Sequence, residues 1–265
     1  MAAGGYIIND YYDVEIDRIN KPEKLIVGQL IKPSVALKLY WLLSVLGLLM
    51  GLWSSYVIGD PLLGIIFLAY FIGLWFYSKK LKYKPVIGNL LIAIFIAIVP
   101  YASGVFHLSA ITYVGMGKDM PLSIKYWIWG ISVFAFLTTL AREIVKDMED
   151  VKGDSAAGCK TLPIVFGQRT AKRIVQVILL VLILALVYAE FWMFTDNKMD
   201  INNHNNPVAS SIYIGLFLQL PLGYLIYRIN GAEETKDLNK ISNWLKVIMA
   251  LGVTYLGVFH FLSIE

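Results

Sequence analysis

Charge is scarce in this chain. Asp, Glu, Lys and Arg make up 16% of its 265 residues, against about 25% in a soluble globular domain. Hydrophobic residues reach 58% and mean hydropathy is +0.65. Together these exclude a soluble fold and place the chain in a bilayer. The single cysteine, Cys159, excludes an internal disulfide, so cysteine usage says nothing of redox compartment. The three histidines, His107, His204 and His260, are scattered. Cys and His therefore never recur at the spacing a zinc site needs, and no catalytic role is assigned to histidine. The net charge of +4 comes from basic residues flanking apolar segments, which excludes a nucleic-acid partner and matches the habit of membrane proteins. Low-complexity segments and a soluble domain are also missing, so residues 1–265 read as one integral-membrane domain.

What is present is a series of apolar stretches. A helix that crosses a bilayer needs about 20 mostly apolar residues. Spans are expected near 34–56, 62–77, 86–105, 123–143, 173–195, 207–227 and 241–262, with connectors at 106–122 and 196–206. Alternating the seven spans puts 20 of the 23 Lys and Arg on one side, which is then cytoplasmic by the positive-inside rule. The expected location is the inner, cytoplasmic membrane. Residues 1–8 are apolar but too short to span. They read as the last two turns of a helix, and the natural protein is expected to begin upstream.

Two acidic segments lie on that cytoplasmic side. Asn9-Asp10-Tyr11-Tyr12-Asp13-Val14-Glu15-Ile16-Asp17 and Asp147-Met148-Glu149-Asp150-Val151-Lys152-Gly153-Asp154 share the spacing D-x-x-D-x-x-x-D, 137 residues apart. At about 100° per helical residue, Asp10, Asp13 and Asp17 share a face within roughly 60°, with Asn9 beside them. Asp147, Asp150 and Asp154 repeat the pattern, with Gly153 a possible helix end before Asp154. Carboxylates gathered in one cavity repel one another and raise one another's pKa, a cost at a membrane helix end unless cations are present. Magnesium prefers oxygen ligands and commonly pairs one or two carboxylates with substrate phosphates. The bland alternative is a solvated acidic helix end, which explains one motif more easily than a matched pair. A diphosphate also needs direct cations. Lys82, Arg142 and Lys146 are candidates, although for any one of them a positive-inside anchor is the commoner reading. Asn89 is polar in an apolar run, as a helix contact or a cavity group.

At these residues the chain resembles the UbiA superfamily of intramembrane prenyltransferases. Asn9, Asp10, Asp13 and Asp17 match its first motif, and Asp147, Asp150 and Asp154 its second. Arg18-Ile19-Asn20-Lys21-Pro22, Tyr77 to Lys82, Gly88-Asn89, Arg142-Glu143 and Gly158 to Pro163 fit its neighbourhoods. The resemblance implies an all-α, multi-span helical bundle with a central cavity, here lacking its first one to two helices. It implies that Asn9 and the six aspartates hold two Mg2+ ions, with Asp13, Asp17, Asp150 and Asp154 needed for catalysis. It also implies that Asn9, Tyr77, Lys82, Arg142 and Lys146 contact an isoprenyl diphosphate. The segments around Asp17 and Asp147 look most like the branch that transfers geranylgeranyl to geranylgeranylglyceryl phosphate in ether-lipid synthesis. Lys24 to Gly28 departs from the R-P-I-P-S-G usual after the first motif.

Departure of the diphosphate is the hard step of prenyl transfer. Cations that neutralise its growing charge promote it, and a dry cavity shields the allylic cation that forms. A lipophilic acceptor then attacks, and no obligate protein partner is evident. Prenylation of an aromatic acceptor is the alternative within this chemistry. A cation transporter and an inactive scaffold are the alternatives outside it. A transporter would carry ionisable groups mid-membrane, where this chain offers only Glu190, toward the far end of its span.

Overall fold

The computed structural model describes residues 1–115, 122–195 and 207–262. It is all-α. The helices are α1 (Ala2–Asn20), α2 (Pro33–Val57), α3 (Gly64–Lys79), α4 (Ile87–Tyr113), α5 (Leu122–Glu149) and α6 (Val151–Ala156). They are followed by α7 (Leu162–Phe166), α8 (Gln168–Thr195), α9 (Pro207–Ile214), α10 (Leu220–Asn230) and α11 (Thr235–Leu262). Among the described residues the nearest thing to a strand is an isolated bridge between Val27 and Ile31.

Among the described residues, six segments are long and apolar enough to cross a membrane: Pro33–Val57, Pro61–Lys79, Ile87–Tyr113, Ile124–Glu149, Gln168–Thr195 and Pro207–Asn230. The protein is an integral membrane protein. The seventh expected span, 241–262, is helical within α11 but is not among these six. Large apolar side chains such as Leu42, Leu46, Leu49 and Trp53 on α2 are exposed. A helix that turns such residues outward is stable against lipid and costly against water.

Three expectations need correction. Residues 1–8 are not a two-turn stub: α1 runs unbroken for 19 residues through the first acidic motif. No glycine or proline interrupts residues 6–21, and Pro22 then bars Lys21 from helical backbone (φ −147°, ψ 57°). The expected connector at 106–122 is helical as far as Tyr113, while 116–121 and 196–206, with His204, lie outside the described residues. In the second motif the helix breaks at Asp150 rather than at Gly153, and α6 restarts at Val151 with Gly153 inside it.

The chain divides into two compact units. The first comprises Met1–Phe95, Val105–Asp119 and Asp150–Val165. Here α1 lies against α2, α3 and α6, burying Ile8, Ile16, Ala36 and Tyr40. An aromatic cluster of Tyr12, Tyr40, Trp41 and Trp75 joins α1, α2 and α3, with ring centroids 5.1–5.9 Å apart.

The second unit comprises Ile96–Gly104, Met120–Glu149 and Phe166–Glu265. Its core is aliphatic, with Leu179, Leu182, Leu222, Leu225, Leu245 and Ile248 almost fully buried. Glu190 accepts a hydrogen bond from Gln219 Nε2 at 2.7 Å. Gln219 ends a π-helical turn over Gly215–Gln219, so this acidic group within α8 has an amide partner. An apolar cavity of about 350 Å³ is lined by Trp127, Trp129, Phe134, Tyr188, Trp192 and Tyr255 among others.

Candidate functional site

The first unit assembles most of both acidic motifs. On α1, Asn9 and Asp13 sit one turn apart, and Asn9 Nδ2 donates to Asp13 Oδ2 at 2.8 Å. Lys82 reaches the same pair. Its ammonium lies 2.6 Å from Asp13 Oδ1 and donates to Asn9 Oδ1 at 2.9 Å. Tyr83 brings its hydroxyl to 3.4 Å from Asp13 Oδ1.

Lys82 and Tyr83 occupy a short 3-10 turn, Leu81–Tyr83, between α3 and α4. Two features set this turn. Lys160 N–H donates to the Tyr83 carbonyl at 2.9 Å, tying it to the loop after α6. Gly88, in the first turn of α4, lets the backbone approach. A Cβ there would stand 2.7 Å from Lys82 Cα and 2.9 Å from the Leu81 carbonyl. Val86, just before α4, has φ +67°, a conformation rarely adopted by a β-branched residue.

The second motif meets the end of α1. Lys21 Nζ lies 2.7 Å from Asp150 Oδ1 and 3.0 Å from Oδ2. The Asn20 amide donates to the Asp150 carbonyl at 3.0 Å and accepts from Gly153 N–H at 2.8 Å. Each motif thus holds one aspartate against a lysine ammonium.

The remaining carboxyls show the strain of crowding. Asp17 is pushed up to about 6, chiefly by burial and next by Asp13, with Lys21 opposing. Asp154 is pushed up to about 7 by burial, then by Asp150 and Asp13, with Lys82 and Lys21 opposing. Burial also pushes the Tyr83 hydroxyl far up, and Asp13 adds to it. These mutual effects place Asp13, Asp17, Asp150 and Asp154 in one electrostatic field, with Asp10 acting on Asp17.

Tyr77 is half-buried in the last turn of α3, in the same unit. Arg142, Lys146 and Asp147 belong to the second unit, on the last two turns of α5. There Arg142 pairs with its neighbour Glu143 at 2.6 Å. Asn89 is buried in the first turn of α4. Asn20, Lys21 and Tyr83 carried no expectation as site residues. Their sequence signals are weak: Asn20 and Lys21 stand in the Arg18–Pro22 segment just past the first motif, and Tyr83 stands just past Lys82. Their roles come from contacts 70 to 133 residues away along the chain.

The donor set suits a hard dication. It is oxygen-rich, two carboxylates already rest on ammonium groups, and two more hold the proton above the usual carboxylate range, first through burial and then through their neighbours. Among the described residues, however, no three His, Cys, Asp or Glu side chains converge as metal ligands. Lysine ammoniums stand where a cation would reduce the repulsion.

A model of the UbiA prenyltransferase family matches residues 1–196. A digeranylgeranylglyceryl phosphate synthase of Thermococcus gammatolerans is 32% identical over 255 residues, covering 95% of this chain and 79% of that protein. A solved structure concerning digeranylgeranylglyceryl phosphate synthase in membranes superposes with a TM-score of 0.62 at 25% identity, over 99% of this chain and 82% of the other. A UbiA homologue from Archaeoglobus fulgidus, bound to DMAPP and Mg2+, superposes at 0.54 over 97% and 83% of the two chains. At 18% identity it speaks for the fold.

Proposed function

We propose that this chain, which belongs to the UbiA prenyltransferase family, transfers an isoprenyl group from a polyprenyl diphosphate to a lipophilic acceptor with Mg2+. The donor is geranylgeranyl diphosphate and the acceptor geranylgeranylglyceryl phosphate, making an ether lipid. The observation that carries the reading is the meeting of two distant acidic motifs at one lysine-buffered cluster in the first unit. The T. gammatolerans relative, named as a synthase of that ether lipid, supports the choice of substrates.

The oxygens of Asn9, Asp10, Asp13, Asp17, Asp150 and Asp154 would hold magnesium, as two ions, with Asp147 completing the second motif. Bound there, Mg2+ would neutralise charge on the diphosphate and so favour its departure from C1 of the allylic chain. Lys82 is the direct cation for a diphosphate oxygen, because its ammonium sits between Asn9 and Asp13 with its side chain only 9% exposed. Lys21 is poised in the same way at Asp150. Arg142, Lys146 and Tyr77 are the further proposed contacts to the diphosphate. The cluster faces the cytoplasm, on the side that collects 20 of 23 Lys and Arg.

The test is transfer by purified protein in lipid. Geranylgeranyl diphosphate is offered with geranylgeranylglyceryl phosphate and, separately, with aromatic acceptors, and products are identified by mass spectrometry. An ether product that requires Mg2+ and is lost in Asp13→Ala and in Asp150→Ala is expected. A prenylated ring with no ether would overturn the acceptor, and near-normal turnover by both variants would overturn the site.

A further inference from the structure

Asp150 occupies an unusual position for a proposed metal ligand. It is the N-cap residue of α6 (φ −95°, ψ 6°). An Asp at an N-cap ordinarily turns its carboxylate back onto the N–H of the second or third helical residue. The third residue here is Gly153, and the Asp150 side chain makes no such bond. The acceptor for Gly153 N–H is instead Oδ1 of Asn20, at 2.8 Å, from the last residue of α1. The other arm of the same amide, Nδ2, donates to the Asp150 carbonyl at 3.0 Å. That carbonyl also accepts Asp154 N–H at 3.1 Å, so both its lone pairs are used. The fork is tight: a Cβ on Gly153 would lie 2.5–2.8 Å from the Asn20 amide atoms.

We infer that Asn20 is a positioning residue that caps α6 in place of Asp150, leaving the Asp150 carboxylate turned to the acidic cluster rather than to its own helix. Two features follow from this role. Gly153 is the one residue type that admits the amide. Lys21, next to Asn20, then meets the carboxylate that the fork has turned away from its own backbone. An aliphatic residue at 20 would leave Gly153 N–H without its acceptor, and the Asp150 carboxylate is the nearest replacement by helix geometry. Cation affinity would fall because a ligand is diverted, whereas removing groups that orient metal ligands typically costs 10- to 100-fold in affinity.

The inference rests on the proposed function insofar as the cluster holds a divalent cation. The test is Mn2+ binding by the purified full chain in the presence of geranylgeranyl diphosphate, read from the EPR signal of free Mn2+ without any turnover. Asn20→Ala is expected to raise the Mn2+ concentration for half-saturation about tenfold. Gly153→Ala, which displaces the amide without altering residue 20, is expected to do the same. In an Asp150→Asn background, Asn20→Ala should add less than twofold. Thermal unfolding without metal serves as the control. A lower Tm with unchanged Mn2+ half-saturation in both single variants would make the fork merely structural and overturn the inference, as would a full tenfold effect in the Asp150→Asn background. No Mn2+ uptake by the wild-type chain would instead overturn the functional reading, and this inference with it.

Discussion

Lys82→Met isolates the contribution of the lysine that stands in for a dication. In the native chain the Lys82 and Asp13 side chains are only 9% and 17% exposed, with 2.6 Å between ammonium and carboxylate. Removing one partner of a buried ion pair costs about 3–5 kcal/mol, because the other charge is left desolvated. The residual exposure of both groups puts this case at the low end, about 3 kcal/mol. Asp13 would be left facing Asp17 and Asp154, two carboxyls on which it already acts repulsively. At about 2–4 °C per kcal/mol for a chain of this size, Tm should fall by roughly 6–12 °C in EDTA at pH 8. Intrinsic fluorescence of the detergent-solubilised protein reads this directly. Mg2+ should narrow the gap, since a cation again faces Asp13. Asp13→Asn in the same chain should also narrow it, by removing the stranded charge, yet transfer should stay lost. A Tm within 2 °C of wild type, or a loss that Asp13→Asn leaves untouched, would refute the reasoning.

Two further outcomes are expected. Asp17 and Asp154 have folded-state values of about 6 and about 7, above the ordinary carboxylate value of 3.8. The stability they contribute is full below pH 4 and is lost as pH rises through 6 to 7. Protons then compete with magnesium, so half-saturation by Mg2+, followed by thermal shift, should weaken steadily from pH 8 to pH 5.5. A flat dependence would show that these two carboxyls do not take part. Lys152 is exposed on α6. A cysteine placed there, with Cys159 replaced, should resist membrane-impermeant thiol reagents in intact cells and react in inverted vesicles. Labelling from outside would reverse the proposed orientation.

Helical membrane character and the two acidic motifs were legible in the residues alone. Apolar runs of about 20 residues admit few structures in a lipid solvent, because each backbone polar group must be satisfied within its own helix. The D-x-x-D-x-x-x-D spacing likewise carries its helical face with it, as unbroken α1 bears out for the first motif. The reach of α1 to Asn20 was less legible, because eight apolar residues before a polar motif look like an end, whereas packing against α2 and α3 carries the helix onward. Which groups meet was decided only in three dimensions. Lys21 and Lys32 each stand just before a proline, yet it is the fold that sets Lys21 against Asp150. The helix break at Asp150 and its cap by Asn20 are decided by a partner 130 residues away. Periodicity and composition describe how one segment treats its solvent. Hydrogen bonds and ion pairs depend on which segments the fold brings within 3 Å, and that follows from the packing of the whole unit.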